Sequence, residues 1–221
     1  AVQVYLVETS PVLRERQAAS LAGYPVTWCA TWDDVPQDAP VLVIGNEFLD
    51  ALPIHQYAID GGVRHERRII LGEDGATLRF DRDGGDIEEI SPARESVIQA
   101  VCDRLKVTGG AVVMIDYGHD VSGYGDTFQA VKAHQFCDVL SECGAADLTS
   151  HVDFGRLTSI VHQAGLPVRV QGQGDFLVRM GITLRAAQLR QKSPDVDAAL
   201  RRLIAPDQMG TLFRVMEIGS K

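Results

Sequence analysis

Several features that identify common classes of protein are missing from this sequence. No apolar run approaches the roughly 18 residues that a membrane-spanning helix needs, and the first residues carry no signal-peptide pattern. Basic side chains are in the minority, with 21 against 30 acidic ones and a formal net charge of -9. This deficit disfavours DNA or RNA as a general partner and suits a cationic substrate, although an acidic surface also simply aids solubility.

Cysteine is scarce, and its four positions show no CxxC spacing. Cys29 and Cys102 lie in apolar strand-like or helical surroundings, which is typical of reduced thiols in a cytosolic protein. Cys137 and Cys143 could pair, but two free thiols are the simpler interpretation. No Cys/His pair has the spacing of metal ligands, so no metal site is predicted. The motifs GxSxG, GxxxxGK[ST], HExxH and strand-linked GxGxxG are also absent from the sequence.

What the sequence does contain is a regular alternation of strand-like and helix-like segments. Ser-Pro pairs at residues 10–11 and 91–92 each predict the start of a helix, and Asp153 caps another. The run Val41–Ile44 has no polar residue, so this strand is expected to be covered on both faces. The alternation predicts one α/β domain over residues 1–221, with a largely parallel sheet and helices on both faces. Apolar runs predict its strands at 2–7, 26–28, 41–44, 111–118, 168–171 and 212–218.

One segment departs from this alternation. HERRIIL and ATLRF flank the turn signal GEDG between His65 and Phe80, which is typical of a β-hairpin with exposed, charged strands. The run DRDGGD that follows is interpreted as a flexible connection. We therefore predict a hairpin insertion on the surface over residues 63–86.

Polar side chains follow three of the predicted strands at their carboxyl ends: Glu8, Asn46 with Glu47, and Asp116 with Tyr117. Ligands of open α/β sheets bind beyond these ends, so this edge is the predicted binding site. Glu8 could accept two hydrogen bonds from a ribose diol. It could equally be an acid that favours the N-terminus of the helix that follows.

The stretch VLVIGNEFLDALPIHQY adds two carboxylates to this edge. Glu47 and Asp50 lie three residues apart, so on a helical turn they would share a face and form a fork-shaped receptor for a guanidinium. In the alternative interpretation, Asn46 is a helix cap and the two acids favour the first turn of a helix that Pro53 ends. Four later polar residues favour structural roles when taken singly: Gln129, Lys132, His134 and His151.

Eight blocks follow one another along the chain: VETSPVLRERQ, GNEFLDALPIHQY, EISPA, GGAVVMIDYG, GDTFQAVKAHQF, DLTSHVDF, QGQGDFL with MGI, and MGTLFRV. Together they resemble the MidA family of S-adenosylmethionine-dependent methyltransferases. That family includes a mitochondrial arginine methyltransferase that assists the assembly of respiratory complex I. The number and order of the blocks make the resemblance specific, whereas any one block alone would be weak.

The resemblance implies a class I (Rossmann-like) methyltransferase sheet that binds S-adenosyl-L-methionine. Glu8 would then bind the cofactor ribose and Thr9 would lie beside the adenine, while Asn46 would lie near the methionine part. Glu47 and Asp50 are the catalytic residues that the resemblance implies, next to the departing methyl group and the acceptor. The implied substrate-binding residues are Asp116, Tyr117, Gly118, Gln129 and His134.

One part of the family pattern is missing. Such enzymes carry a first strand that ends in a glycine-rich loop of GxG type close to the cofactor, and this loop should precede Ala1. The chain is therefore expected to correspond to roughly the C-terminal two-thirds of a family member. By itself, it is expected to bind the cofactor poorly.

We expect methyl transfer to a protein nitrogen, with an arginine side chain as the acceptor. The implied partner is a protein substrate, for which a subunit of respiratory complex I is a candidate, and a homodimer is compatible with the resemblance. A cytoplasmic location is implied in bacteria and a mitochondrial one in the eukaryotic relatives. The alternative is a non-catalytic assembly or scaffold domain that keeps the methyltransferase fold. A nicotinamide-dependent oxidoreductase would explain Glu8 but leaves NEFLD unexplained.

Overall fold

The computed structural model describes residues 2–141 and 143–220. The chain divides into two compact units, the first ending at Pro40 and the second beginning at Val41. The prediction of a single domain stays a prediction.

The first unit is a strand–helix–strand arrangement. Strands β1 (Val4–Val7) and β2 (Val26–Cys29) pair in parallel, joined by helix α1 (Pro11–Ser20). The hydroxyl of Ser10 accepts a hydrogen bond from the Leu13 N–H, and the first helical position is a proline. The predicted Ser-Pro start of this helix is confirmed.

The second unit contains the strands β3 (Val41–Asn46), β4 (His55–Asp60), β5 (Val63–Arg67), β6 (Ile69–Leu71), β7 (Leu78–Phe80), β8 (Asp86–Ile90), β9 (Gly110–His119), β10 (Gln129–Lys132), β11 (Gln135–Cys137), β12 (Asp147–Thr149), β13 (Val152–Asp153), β14 (Val168–Gly172) and β15 (Phe213–Gly219). Its helices are α2 (Pro92–Thr108), α3 (Phe154–Gln163), α4 (Gln173–Arg179), α5 (Ile182–Leu189), α6 (Val196–Ile204) and α7 (Met209–Leu212). Over residues 2–141 and 143–220, no helix has the length and apolar character needed to cross a bilayer.

The central sheet of the second unit has the order β3–β9–β15–β14, and β13 pairs with the last two residues of β9. Strands β3 and β13 run parallel to β9, whereas β15 is antiparallel to both of its neighbours. Helices α2 and α3 pack against each other and against β9. The α/β fold predicted from the sequence is confirmed, but the sheet is mixed rather than largely parallel, because β15 reverses direction.

Strand β3 is covered on only one face, so the prediction that both faces are covered was wrong. Leu42 is 78% exposed and Ile44 is 79% exposed. Val43 and Gly45 face the other way, and a Cβ on Gly45 would lie 2.6 Å from the sulfur of Met114. The strand alternates as pleating requires, and nothing among the described residues covers the side that carries Leu42 and Ile44.

The predicted hairpin exists, within a wider β-rich region. Strands β6 and β7 pair in antiparallel fashion, from Ile69 opposite Phe80 to Leu71 opposite Leu78. The Asp74 carboxylate closes the turn by accepting hydrogen bonds from two following backbone N–H groups. A second antiparallel sheet, of order β5–β4–β8, surrounds this hairpin in the sequence. The connection predicted to be flexible therefore ends by entering β8.

Candidate functional site

The last residue of β3 and the four residues after it, 46–50, are called here the acid turn, and residues 47–50 are not helical. Glu47 is exposed and has a positive φ of 47°, whereas Asp50 is only 6% exposed. The side-chain amide of Asn46 donates to the Glu47 carboxylate over 3.2 Å. Contrary to the expectation from their spacing, the two carboxylates do not share a face of a helical turn, because the chain bends immediately after the strand.

A buried carboxylate from β9 causes this bend. One oxygen of Asp116 accepts hydrogen bonds from the backbone N–H groups of Phe48, Leu49 and Asp50, at 3.2, 2.9 and 3.1 Å. Its other oxygen accepts from the Tyr117 N–H at 3.0 Å. Burial, together with the nearby Asp50 carboxylate, raises the pKa of Asp116 to about 7, although its backbone donors oppose the shift. Asp116 thus supports the turn, and the substrate contact that the family resemblance implies for it stays a prediction.

A buried arginine also holds the acid turn, by donating hydrogen bonds to backbone carbonyl groups of the turn. Arg94 donates from Nε to the Leu49 carbonyl at 2.7 Å and from Nη2 to the Asp50 carbonyl at 3.0 Å. The same guanidinium also donates to the carbonyl groups of Ser150 and His151 and to the Ser150 hydroxyl. One cation therefore joins the acid turn to the segment before β13.

Sequence reasoning missed Arg94, although a signal was present. Arg94, Ile98, Val101 and Leu105 follow helical spacing along α2, and all four are buried. An arginine on the apolar face of an amphipathic helix must find hydrogen-bond acceptors inside the protein, since it is never deprotonated.

Several predicted site residues meet behind the acid turn. The buried Oδ1 of Asp50 has no hydrogen-bond partner within the part of the chain that the structure describes. Burial raises the pKa of the neighbouring Tyr117 hydroxyl, and Asp50 raises it further. The Gln129 amide lies 3.5 Å from the Tyr117 hydroxyl and 3.2 Å from the Thr149 hydroxyl. Asp50, Asp116, Tyr117 and Gln129 are thus brought together.

Gly118 and His134 occupy positions with clear structural explanations. Gly118 pairs with Val152, and a Cβ there would lie 2.0 Å from the Val152 carbonyl oxygen, so only glycine allows β13 to approach β9. His134 is exposed, at the tip of the two-residue turn between β10 and β11. The structure does not bring His134 to the other predicted residues, because it lies at the opposite end of β10 from Gln129.

A cavity of about 280 Å³ lies at the carboxyl end of β9, and two histidines line it. Nε2 of His119 lies 3.8 Å from the Asp153 carboxylate, which raises the pKa of the imidazole. Asp153 also accepts from the Arg156 N–H at 2.8 Å, which confirms its predicted capping of α3. The ring of His151 meets the ring of Tyr117 edge-on, with centroids 5.5 Å apart. We call this space the histidine cavity.

Glu8 and Thr9 lie at the end of β1, in the first unit. The two oxygens of Glu8 accept from the Ser10 N–H at 2.9 Å and from the Gln17 amide at 3.2 Å. Gln17 is itself held by the indole N–H of Trp28 at 3.0 Å. An ionised carboxylate has about four acceptor positions, so Glu8 is fixed in orientation but keeps free acceptor capacity. This arrangement fits a ribose diol, which offers two O–H donors.

A sequence model of a family described as "Putative S-adenosyl-L-methionine-dependent methyltransferase" matches residues 1–83 and 71–172. The chain is 34% identical to mitochondrial protein arginine methyltransferase NDUFAF7 of Xenopus tropicalis, over 99% of this chain and 55% of that protein. It is 33% identical to the Caenorhabditis elegans homolog, over 88% of this chain and 54% of that protein. The chain thus spans about half the length of these relatives.

Two crystal structures of proteins from Burkholderia thailandensis share the fold. One superposes with a TM-score of 0.85 at 25% identity, covering 98% of this chain and 66% of that one. The other, a protein bound to S-adenosyl-homocysteine, gives 0.83 at 24% identity, covering 98% of this chain and 64% of that one.

Proposed function

Because the chain belongs to this family of S-adenosyl-L-methionine-dependent methyltransferases, we propose that it transfers a methyl group to a protein nitrogen, the guanidinium of an arginine side chain. The relatives that carry the name protein arginine methyltransferase support this acceptor. The net charge of -9 also suits a cationic protein segment.

The observation that carries the proposal is the carboxylate of Asp50. Buried polar atoms nearly always have a hydrogen-bond partner, and an exception in a native structure calls for an explanation. Oδ1 of Asp50 has no partner among the described residues, and it sits in a turn that Asp116 and Arg94 hold from both sides. A guanidinium that enters beside the turn would supply the missing donors.

The chain's own residues have distinct tasks in this reaction. When bound, S-adenosyl-L-methionine supplies an electrophilic methyl group on a sulfonium, and Glu8, Thr9 and Asn46 would hold the cofactor. Glu47 and Asp50 orient the acceptor guanidinium and stabilise its delocalised charge away from the attacking nitrogen. Alignment contributes much of the rate enhancement, since in-line displacement needs no metal. The proposed substrate-binding residues are Asp116, Tyr117, Gly118, Gln129 and His134. Of these, His134 lies apart from the others, at the far end of β10 from Gln129.

Matched substitutions in the intact protein test this function. Asp50→Asn and Glu47→Gln should each lower turnover at least tenfold, as measured by transfer of a labelled methyl group to protein. Asp83→Asn and Glu73→Gln, at exposed positions in the β-rich region, are the controls and should leave turnover unchanged. The proposal is wrong if the site variants retain full turnover while their circular dichroism and unfolding midpoints match the wild type.

One observation favours the alternative, a non-catalytic assembly domain. Ile69 and Leu71 stand on the same side of the β6–β7 hairpin and are 50% and 60% exposed, which suits a protein partner. Calorimetric titration of the intact protein with S-adenosyl-L-methionine separates the two functions, because a purely structural domain should release no heat of binding.

A further inference from the structure

The histidine cavity has the size of a site for one side chain. Its volume of about 280 Å³ falls just below the range of roughly 300–1,000 Å³ that is typical of small-molecule sites. S-adenosyl-L-methionine, a nucleoside with an amino-acid arm, would fit this volume poorly, whereas an arginine side chain would fit it. Glu89, His119, Tyr124, His151 and Asp153 are among the residues around this space.

The cavity and the acid turn are parts of one hydrogen-bonded structure. Arg94, which borders the cavity, binds both the Asp50 carbonyl and the His151 carbonyl. The Tyr117 ring contacts His151, and its hydroxyl belongs to the group that contains Asp50 and Gln129. The residues that line the cavity do not include residues 46–50, so the cavity is linked to the turn that is proposed to hold the acceptor through the Arg94 guanidinium.

Hydrogen bonds of its backbone hold His151 in place, and its ring nitrogens take no part in them. Its backbone N–H donates to the Thr127 hydroxyl at 2.9 Å, and its backbone carbonyl accepts from Arg94 at 2.7 Å. Thr127 in turn donates from its backbone N–H and from its hydroxyl to the Glu89 carboxylate. In the described residues, neither nitrogen of the His151 imidazole has a hydrogen bond. Both ring nitrogens are therefore available to water or to a ligand that enters the cavity.

The two imidazoles of the cavity have opposite charge preferences. Burial lowers the pKa of His151, and the charges of His119 and Arg94 lower it further, whereas only Glu89 opposes them. Asp153 raises the pKa of His119, so that imidazole tends to hold its proton. At neutral pH the cavity therefore contains one neutral imidazole with a free lone pair.

We propose that the histidine cavity receives the side chain to be methylated and that the His151 imidazole accepts the proton that its attacking nitrogen releases. This assignment rests on the methyltransferase function proposed above. The acceptor nitrogen uses its lone pair to form the N–CH₃ bond, and the C–S bond breaks with its electron pair remaining on sulfur. The nitrogen then loses one proton to the imidazole, which becomes an imidazolium and returns the proton to water. His151 is thus a catalytic residue that the sequence left without a role.

The first test measures binding and does not depend on turnover. The intact protein, labelled at histidine, is titrated with ethylguanidinium while the imidazole resonances are followed by NMR. We expect the His151 resonance to shift on binding and its titration midpoint to move to lower pH, because a second cation opposes protonation. His162, exposed at the end of α3, is the internal control and should not shift. If ethylguanidinium leaves the His151 resonance unchanged, the cavity is not the acceptor site.

The second test measures catalysis. His151→Gln should lower kcat by about 10²-fold or more, the usual contribution of a general base, with KM changed less than threefold. The wild-type rate should fall as pH drops through the lowered pKa of His151, since a protonated imidazole cannot accept a proton, and the variant should lose this acidic limb. His162→Gln should retain both the rate and the limb. His151→Asn, with unfolding midpoints for all variants, guards against a folding defect.

The outcomes separate this inference from the function on which it rests. If the wild type transfers no methyl group to any arginine-containing protein offered, the proposed function fails, and the NMR titration alone decides whether the cavity binds a guanidinium. If the wild type turns over and a folded His151→Gln keeps both kcat and the acidic limb, the proton-acceptor role is wrong while the function stands.

Discussion

Among the residues that the structure describes, two turns place residues other than glycine in the left-handed region of backbone space, and they do so for different reasons. In the β10–β11 hairpin, Ala133 and His134 have φ values of 49° and 64°. A two-residue hairpin of this kind requires positive φ at both positions, because its twist must match that of the flanking strands. In the acid turn, Glu47 has a φ of 47° although no hairpin requires it.

The difference lies in what holds each conformation. The hairpin is determined locally, by strands that are adjacent in sequence. The acid turn depends on Asp116 and Arg94, which lie 66 and 44 residues from Asp50 and grip its N–H and carbonyl groups. Strained backbone persists where the surroundings over-determine it, and such places are often functional. We infer that the Glu47 conformation serves the position of its carboxylate.

Removing the Arg94 guanidinium, which binds carbonyl groups of the acid turn, should have the largest effect on the difference between this turn and the β10–β11 hairpin. Arg94→Met leaves the His151 carbonyl without its donor and leaves the Leu49 and Asp50 carbonyls with one backbone donor each, so the free energy of unfolding should fall by about 3–5 kcal/mol in urea titrations. Arg202→Met, on the exposed side of α6, should stay within about 0.5 kcal/mol of the wild type. Hydrogen exchange should accelerate in the acid turn and not in the β10–β11 hairpin; equal acceleration in both would contradict the distinction.

Neutralising the carboxylate under the same turn should change how stability depends on pH. The folded pKa of Asp116, about 7, lies above the ordinary value of 3.8, so the folded state binds the proton more tightly than the unfolded state. Ionisation of Asp116 should therefore reduce the free energy of unfolding as pH rises from about 4 to about 7, by on the order of 3 kcal/mol. Asp116→Asn should lack this decline in a comparison of unfolding at both pH values. A decline of equal size in the variant would assign it to other groups.

Glycine substitutions should give the smallest effects on stability and the sharpest contrast in function. Ala133→Gly and Glu47→Gly each relieve a left-handed residue and should stabilise the fold by about 0.5–1 kcal/mol, after allowance for the more flexible unfolded chain. Ala133→Gly should leave methyl transfer intact, whereas Glu47→Gly should reduce it at least tenfold. Thermal unfolding and labelled-methyl transfer measure the pair. If both variants behaved alike in turnover, the two turns would not differ in purpose.

Local signals predicted much of the fold. The caps at Ser10, Ser91 and Asp153 are confirmed, and so is the hairpin around GEDG, because each depends on residues that are close in sequence. The family resemblance is confirmed by the match over residues 1–83 and 71–172. The exposure of Leu42 and Ile44 was not predictable, since an apolar run does not reveal which of its faces another element covers.

The candidate site was predictable in position but not in shape. Polar residues at strand ends predicted a cluster at one edge of the sheet, and Asp50, Tyr117 and Gln129 do meet there. The spacing of Glu47 and Asp50 suggested a helical turn, and the distant carboxylate of Asp116 replaced it with a bend. Residue types and local spacing could not foresee that contact across the sheet, nor that Arg94 would join two segments far apart in the chain.

The guanidinium of Arg94 also constrains the order in which the molecule can fold. The acid turn is complete only when Ser150 and His151 have reached the same cation, roughly 100 residues downstream of the turn. At synthesis rates of about 5–20 residues per second, this is a delay on the order of 5–20 s. The long separation of these contacts along the chain makes their formation slow compared with local pairing. A refolding experiment should therefore find the β6–β7 hairpin protected from hydrogen exchange early and the acid turn protected last. A newly made chain would then form its local hairpins before it forms the candidate functional site.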